Sequence, residues 1–245
     1  MQRDIRQTPP FIEAQCLYQD IWPANSQRIV EVQHLNTSPD GRSALFTGIC
    51  GNEAGQPSAQ RIFHIDLQSS YLSALTANSC PEKRPVYSPC GKHIAFLSDR
   101  DGGDNFQLSL LNISNSLISQ PPAVAGWVEE LSWSPDSSSI LLTVAGHGAD
   151  KGSGQGAVPS QQYSEQHPEW MPDVSAGDEG YRWRHLWIYE LASKKLRRVP
   201  TEDTNVWEAV WCGNFSIAAI TSDQPGEEAW YSATLQHIHP ATGAT

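Results

Sequence analysis

A chain of 245 residues, of which 39% are hydrophobic, has enough apolar material for a folded core and is long enough for one large domain or two small ones. Its formal net charge of −11 and its lack of a Lys/Arg cluster argue against a nucleic-acid partner. No apolar run approaches the length that spans a bilayer, and five widely spread cysteines do not suggest a disulfide framework, so we expect a protein of the reducing cytoplasm without a membrane partner.

The first 33 residues precede any repeated pattern, and we interpret them as an N-terminal leader. Between Ala14 and Trp22 the apolar residues follow a pattern compatible with a short helix. Pro23 would end that helix, because proline cannot continue the helical hydrogen-bond ladder. The predicted plan is therefore a leader over residues 1–33, followed by one larger domain over residues 34–245.

The main feature of that domain is a short phrase that occurs three times. Ser-Pro-Asp-Gly begins at Ser38, Ser-Pro-Cys-Gly at Ser88 and Ser-Pro-Asp-Ser at Ser134, with spacings of 50 and then 46 residues. Each copy precedes an apolar run typical of a β-strand. Proline presets the first corner of a turn, and Asp and Gly tolerate the tight or left-handed backbone that follows. The phrase therefore predicts a hairpin turn within a repeated unit.

A second recurring pattern is a run of aromatic and aliphatic residues that closes on a polar residue, which predicts a third strand in each unit. It occupies residues 62–67, 108–113 and 186–191. A fourth unit is degenerate but in phase, because the sequence that ends at Trp211 matches the sequence that ends at Trp133. The third strand of this unit is predicted at residues 230–238.

The interval between the third and fourth units is too long for one unit. Its excess lies at residues 146–180, which are rich in Gly, Ser, Pro, Gln and acidic residues and predict an inserted loop. Units of about 40 to 50 residues with four short strands are typical of propeller blades. We predict an all-β fold, a partial β-propeller of about four four-stranded antiparallel blades. The blades are predicted at residues 34–76, 84–126, 128–203 and 205–245, the last of them incomplete.

Several of these phrases resemble one known family. The hairpin phrases together with residues 95–100, 127–135 and 205–213 resemble the N-terminal propeller of serine peptidases of the prolyl oligopeptidase family, in particular acylaminoacyl-peptidase-like and dipeptidyl-aminopeptidase-like members. The resemblance extends from about Ile29 to the last residue. It implies an enzyme in which a propeller of about seven blades caps a C-terminal α/β-hydrolase domain with a Ser-Asp-His triad, and in which a leader packs near that domain.

The chemistry of that family requires a Gly-x-Ser-x-Gly turn, which exposes the serine hydroxyl and forms the oxyanion hole. No such pentapeptide occurs in the chain, and the glycine-rich run at residues 152–156 has the wrong spacing. We therefore assign no catalytic residue and expect the chain by itself to be inactive. We also predict no cofactor and no metal site, because His237 and His239 have no third ligand at suitable spacing and are interpreted as structural surface residues.

Four residues are candidates for substrate contact. Glu129 and Glu130 are similar to the paired glutamates with which dipeptidyl peptidases of the family hold a free amino terminus, although here the pair precedes an inner strand and does not lie on an insertion. Trp170 and Trp183 flank the inserted loop and predict an aromatic wall for a peptide or a surface for another domain. Trp187 lies inside a predicted third strand and is assigned to the core between blades.

The resemblance implies that the chain is the N-terminal propeller fragment of a serine peptidase that cleaves short peptides or acylated peptides. The propeller would admit oligopeptides and exclude folded proteins. The expected partners are the C-terminal hydrolase domain, an oligopeptide substrate and further copies of the chain in a homo-oligomer. The alternative is a stand-alone TolB-like propeller that acts as a protein-binding scaffold.

Overall fold

The structure is a computed structural model that describes residues 4–21, 29–50, 59–76, 80–102, 105–147, 149, 183–201 and 203–244. Its helical segments in these ranges are a 3₁₀ helix at Ile5–Gln7, α1 at Pro9–Ile21 and a second 3₁₀ helix at Glu227–Ser232. The helix predicted from Ala14 begins earlier, at Pro9, because proline is compatible with the first turn of an α-helix.

Four antiparallel sheets follow one another along the chain, each with its strands in sequence order. The first comprises β1 (Ile29–Thr37), β2 (Ser43–Cys50), β3 (Ala59–Asp66) and β4 (Leu72–Ala74). The second comprises β5 (Glu82–Tyr87), β6 (His93–Ser98), β7 (Gln107–Asn112) and β8 (Leu117–Ser119). The third comprises β9 (Trp127–Trp133), β10 (Ser139–Ala145), β11 (Arg184–Glu190) and β12 (Lys195–Arg198). The fourth comprises β13 (Asn205–Trp211), β14 (Ile217–Ser222) and β15 (Thr234–Ile238).

This succession of meandering sheets confirms the predicted all-β fold, a partial β-propeller in which each sheet is one blade. The first blade begins ahead of the predicted boundary at residue 34, because the pairing of β1 with β2 extends from Ile29, opposite Cys50, to Thr37, opposite Ala44.

The predicted hairpin turns are closed by their own side chains. In the first sheet, the backbone N–H of Ser43 donates to the Ser38 hydroxyl oxygen at 3.0 Å. The Ser38 hydroxyl donates to Asp40 at 2.6 Å, and Asp40 accepts the N–H of Arg42 at 3.1 Å. Gly41 completes the turn with a φ of 69°, in the left-handed region that glycine adopts without steric cost.

Apolar side chains form cores between adjacent sheets. The core between the first and second sheets contains Leu45, Ile62, Ile94, Phe96 and Leu111. The core between the second and third contains, among others, Ala95, Leu97, Leu108, Leu110, Trp133, Ile140, Leu142 and Tyr189, with Trp187 packed against it. The core between the third and fourth contains Leu141, Leu186, Ile188, Val199, Val206, Ala209, Ile217, Ala219 and Ile238. Each blade is therefore stabilised mainly by burial against its neighbours.

The third strand of the fourth sheet is shorter than the predicted span of residues 230–238. β15 begins only at Thr234, and Trp230 belongs to the preceding 3₁₀ helix. The indole of Trp230 packs edge-to-face on that of Trp207, with ring centroids 5.5 Å apart. This contact, which is favourable for aromatic pairs, keeps Trp230 out of the strand.

The long connection predicted in the third blade separates β10 from β11. Of the predicted insertion, residues 148 and 150–180 lie outside the described residues. At its base, the N–H of Gly146 donates to the carbonyl oxygen of Trp183 at 3.1 Å, which continues the pairing of β10 and β11 by one more hydrogen bond.

Candidate functional site

The first strands of the four sheets converge. β1 contacts β5, β5 contacts β9, and β9 contacts β13. The second and third strands of each of the first three sheets also pack against the first strand of the next sheet. In a propeller, this is the arrangement of the strands that surround the central channel. We call β1, β5, β9 and β13 the channel wall.

Each strand of the channel wall contains a β-bulge at a similar position. The bulged residues are His34 and Leu35 in β1, Arg84 and Pro85 in β5, Glu129 in β9 and Trp207 in β13. A bulge adds a residue to one strand and redirects its side chain, and bulges are frequent next to functional sites. The repeated bulges therefore bring a row of polar and aromatic side chains to one level of the wall.

Arg84 joins the second and third blades at this level. Its guanidinium Nη1 lies 3.3 Å from Oε1 of Glu130, and the two side chains are 31% and 39% exposed. Its backbone N–H donates to the hydroxyl oxygen of Thr47 in the first sheet at 3.0 Å. The ion pair is open to solvent, so its contribution to the free energy of unfolding is small, about 0 to 1 kcal/mol.

A second part of the wall is positively charged. The Nδ1 atom of His34 lies 3.2 Å from the hydroxyl oxygen of Thr47. Burial, together with the positive charges of Arg84 and Lys83, lowers the pKa of His34 to about 4. The ammonium of Lys83 lies 3.8 Å from the centroid of the Phe106 ring, in a cation–π contact. The two cations Lys83 and Arg84 of β5 and the neutral imidazole of His34 in β1 therefore lie near one another in the wall at neutral pH.

The Glu129 carboxylate is bound by Arg184, the first residue of β11. Arg184 donates through Nε at 2.9 Å and through Nη2 at 3.1 Å, so that both carboxylate oxygens are engaged. The arginine side chain is only 5% exposed and that of the glutamate 22%. Burial raises the pKa of the Glu129 carboxyl, and the neighbouring guanidinium opposes that effect. The pair is consequently a partly buried, two-bond contact that ties the wall to the third strand of its own blade.

The same arginine reaches the fourth blade. Its guanidinium carbon lies 5.0 Å from the centroid of the Trp207 ring. The indole N–H of Trp207 donates to the Ser222 hydroxyl at 2.9 Å, and the backbone N–H of Arg184 donates to the Asn205 side-chain oxygen at 2.7 Å. Arg184 therefore fixes the position of the fourth blade against the third.

The predicted substrate residues lie in different surroundings. Glu129 and Glu130 are adjacent on β9, but each forms an ion pair with a different arginine, Glu129 with Arg184 and Glu130 with Arg84. Neither carboxylate is therefore unpaired in the structure. Trp183 is half-buried beside the base of the insertion, where its carbonyl accepts the Gly146 N–H. Trp170 lies outside the described residues. Amine binding by the glutamates and peptide contact by the tryptophans remain predictions.

Sequence reasoning missed the two arginines that organise the wall. Arg84 and Arg184 lie 46 and 55 residues from the glutamates that they bind. Neither arginine belongs to a repeated phrase, and a bulge gives no periodic signal. The only available hint was that Arg84 precedes Pro85 within a predicted strand, because proline in a strand is typical of an edge or a bulge.

A cavity of about 950 Å³ lies between the first and second blades. His64 and Ser73 contribute to one side, and Ile94, Leu111 and Ile118 to the other. The third-strand positions equivalent to His64 in the next two blades are Leu110 and Ile188, both buried in apolar cores. His64 therefore places an imidazole beside the cavity, where the next two blades have a buried aliphatic side chain.

The described residues contain no cluster of three or more His, Cys, Asp or Glu side chains arranged to hold a metal ion. His239 instead serves a turn, because its Nδ1 accepts the N–H groups of Ala241 and Thr242, each at 3.3 Å. None of the helices in the described part of the chain has the length and apolar character needed to cross a lipid bilayer.

The fold thus defines part of a β-propeller whose inner strands carry charged and aromatic residues. No family model matches the chain. A curated relative from Bacillus subtilis (strain 168), described as the uncharacterized peptidase YuxL, is 28% identical over 117 residues, which cover 48% of this chain and 18% of the relative.

Solved structures of peptidases and related hydrolases share the fold. Puromycin hydrolase is similar with a TM-score of 0.56 and 12% identity over 90% of this chain and 29% of its own. The acylaminoacyl peptidase of Pyrococcus horikoshii is similar with a TM-score of 0.52 and 12% identity over 81% of this chain and 29% of its own. The chain thus spans between 18% and 29% of the length of these three proteins. The predicted resemblance to the propeller of prolyl oligopeptidase-type peptidases is confirmed at the level of the fold.

Proposed function

We propose that this chain is the propeller part of a serine peptidase of the prolyl oligopeptidase family that cleaves short or acylated peptides. The observation that carries the proposal is the 28% identity over 117 residues to a protein described as a peptidase. Sequence similarity is the stronger argument, because propellers of similar fold serve many unrelated functions. The structural similarity to an acylaminoacyl peptidase is consistent with it.

In this proposal the propeller restricts access to the reaction and does not perform it. The nucleophile, the base and the oxyanion hole belong to a hydrolase domain with which the chain acts. The polar side chains of the channel wall, Arg84, Glu130 and the half-buried Trp207 among them, suit a hydrated passage that an extended oligopeptide can enter. In this proposal the passage excludes folded proteins, so it limits the size of the substrate.

We further propose the cytoplasm as the compartment of the enzyme. All five cysteines, Cys16, Cys50, Cys80, Cys90 and Cys212, are free thiols. Exposed free thiols such as those of Cys90 and Cys212 are typical of proteins kept in a reducing environment.

Antibodies raised against the purified chain test the proposed function. Cells that express the native gene are lysed and treated with a fluorophosphonate probe, which labels active serine hydrolases. We expect the antibodies to precipitate a labelled polypeptide that either contains this chain or forms a complex with it. The precipitate should hydrolyse acetyl-alanyl or alanyl p-nitroanilide, and an excess of the purified chain should prevent the precipitation.

Two results would argue against the proposal. An antigen that is recovered in full without any label, while other serine hydrolases of the lysate are labelled, would contradict it. If such an unlabelled antigen were recovered at the mass of a propeller alone, it would favour the alternative, a stand-alone TolB-like scaffold.

A further inference from the structure

We infer that Arg84 forms the centre of a carboxylate-binding site on the channel wall, which takes the carboxylate of a peptide in the channel. The inference rests on the proposed function for the identity of the ligand, but its geometry is that of the chain itself. Arg84 lies at a bulge in the wall, is 31% exposed and faces a region that also carries Lys83 and His34.

The contrast between the two arginines of the wall supports this role. Arg184 is 5% exposed and binds both oxygens of Glu129, at 2.9 and 3.1 Å, which is the geometry of a structural ion pair. The distance from Arg84 Nη1 to Oε1 of Glu130, an exposed carboxylate, is longer, at 3.3 Å. Charge-assisted contacts of this type are usually about 2.7 to 2.9 Å long, and a guanidinium offers five N–H donors. Arg84 therefore retains donors for a second carboxylate.

Glu130 identifies the chemistry of the ligand. It is itself a carboxylate, and its Oε1 lies 3.3 Å from Arg84 Nη1 across the boundary between the second and third blades. A peptide carboxylate that displaces Glu130 can form two parallel hydrogen bonds with the guanidinium, which is the preferred geometry of this pair. Glu130 thus acts as an internal competitor that occupies the site when the channel is empty.

The surroundings favour an anion in this part of a strongly acidic chain. The net charge of the chain is −11, yet Arg84 and Lys83 are consecutive on the wall. His34 is uncharged at neutral pH and therefore leaves the positive charge of the two neighbours unchanged. The Thr47 hydroxyl oxygen accepts the backbone N–H of Arg84 and fixes the bulge that carries the guanidinium. A carboxylate that enters the channel would therefore be attracted by Arg84 and Lys83, although it must compete with Glu130, which Arg84 already contacts.

Nuclear magnetic resonance of the purified chain tests the inference. The Nε–Hε signal of Arg84 is assigned from its loss in Arg84→Lys and is followed as three peptides are added. Trialanine carries a terminal carboxylate, trialanine amide lacks it, and acetyl-Ala-Glu-Ala-amide carries only a side-chain carboxylate. We expect binding of trialanine at least about tenfold tighter than that of the amide, because one charge-assisted hydrogen bond contributes about that factor. The third peptide distinguishes a terminal site from one that accepts any carboxylate.

Three variants complete the experiment, with all binding followed through the remaining amide signals. Arg84→Gln should weaken trialanine binding about tenfold, whereas Glu130→Gln should strengthen it a few-fold because the competitor is neutralised. Arg42→Gln removes the same charge from an exposed turn and should leave binding unchanged. If circular dichroism shows that Arg84→Gln does not fold, Arg84→Lys replaces it as the test. Lysine keeps the positive charge but lacks the paired N–H donors of the guanidinium, so this variant should bind trialanine several-fold more weakly.

Equal affinity for trialanine and its amide, no binding of either peptide, or weaker binding by Glu130→Gln would overturn the inference. These results are distinguishable from a failure of the proposed function. If the chain binds the carboxylate but the antibodies never precipitate a fluorophosphonate-labelled hydrolase, the carboxylate site is supported and the peptidase assignment is rejected.

Discussion

Arg184 contacts Glu129 with two hydrogen bonds, at 2.9 and 3.1 Å, and at the same time lies over the ring of Trp207 at 5.0 Å. One side chain thereby connects the first and third strands of the third blade with the first strand of the fourth. Adjacent blades are joined covalently only by the segment that connects them, so non-covalent contacts hold them together. Side-chain contacts such as those of Arg184 add to the apolar core between the blades.

Removal of one member of this pair should destabilise the fold. Arg184 is nearly buried, so Glu129→Ala removes both of the charge-assisted hydrogen bonds that join the pair and should lower the free energy of unfolding by about 2 to 4 kcal/mol. The double variant Glu129→Leu with Arg184→Met should lose less, because neither charge remains buried. Urea unfolding of the single and double variants measures both effects.

The matched control is the exposed pair of Glu190 and Arg197, whose side chains are 41% and 38% exposed. Glu190→Ala should cost no more than about 1 kcal/mol, since water screens the pair. A similar loss for both glutamates would show that Arg184 has no special structural role.

His34 should make the stability depend on pH. Its pKa is about 4 in the folded chain and 6.5 in the unfolded chain, so the unfolded chain binds the additional proton between these values. The contribution of His34 to stability is therefore fully present above pH 6.5 and is lost as the pH is lowered toward 4, which amounts to about 1 to 2 kcal/mol once partial exposure is taken into account.

The His34→Asn variant checks this effect, because asparagine tolerates the φ of 51° at this position. The fall in stability between pH 6.5 and 4, measured by urea unfolding, should be smaller in the variant. His237→Asn replaces an exposed histidine of β15 and should behave like the parent chain. An unchanged pH profile in His34→Asn would contradict the assignment.

The hairpins of the fold could be predicted because their information is local. Pro39 and Gly41 determine the turn by their own backbone preferences, and Ser38 and Asp40 close it with hydrogen bonds over two residues. The same reasoning failed at Trp230, where an aromatic contact with Trp207, 23 residues earlier in the chain, outweighs the strand pattern. Local patterns therefore predict the blades better than they predict the limits of each strand.

The candidate site depends on distant contacts and was only partly predictable. Glu129 and Glu130 were singled out only by their similarity to the paired glutamates of dipeptidyl peptidases of the resembling family. Glu129 is mostly buried against Arg184, whereas Glu130 is exposed beside Arg84. This difference follows from the register of β9 and the packing of neighbouring blades. A single sequence does not reveal which arginine a bulge will place next to which glutamate.

Two glycines with positive φ should respond differently to alanine. Gly41 has a φ of 69°, and a Cβ added there would have no heavy atom within 4 Å, so Gly41→Ala should cost only the left-handed backbone energy, about 1 kcal/mol. Gly126 has a φ of 140°, and a Cβ there would lie 2.4 Å from the carbonyl oxygen of Ala145. Gly126→Ala should therefore cost about 3 kcal/mol or more, because the backbone must move. Thermal unfolding of both variants compares them, and equal losses would contradict the close approach at Gly126.

The purified chain should show no peptidase activity of its own. Formation of an acyl-enzyme requires a nucleophile, a base and an oxyanion hole in one place, and the sequence contains no Gly-x-Ser-x-Gly turn to supply them. We expect no release of p-nitroaniline from alanyl or acetyl-alanyl substrates. We also expect no labelling by a fluorophosphonate, with trypsin as the positive control for the labelling. Ser153 lies in the glycine-rich run at residues 152–156, so Ser153→Ala is the matched variant. Stoichiometric labelling of the parent chain, lost in Ser153→Ala, would show that the chain carries its own nucleophile. That result would contradict the proposal that catalysis belongs to a separate hydrolase domain.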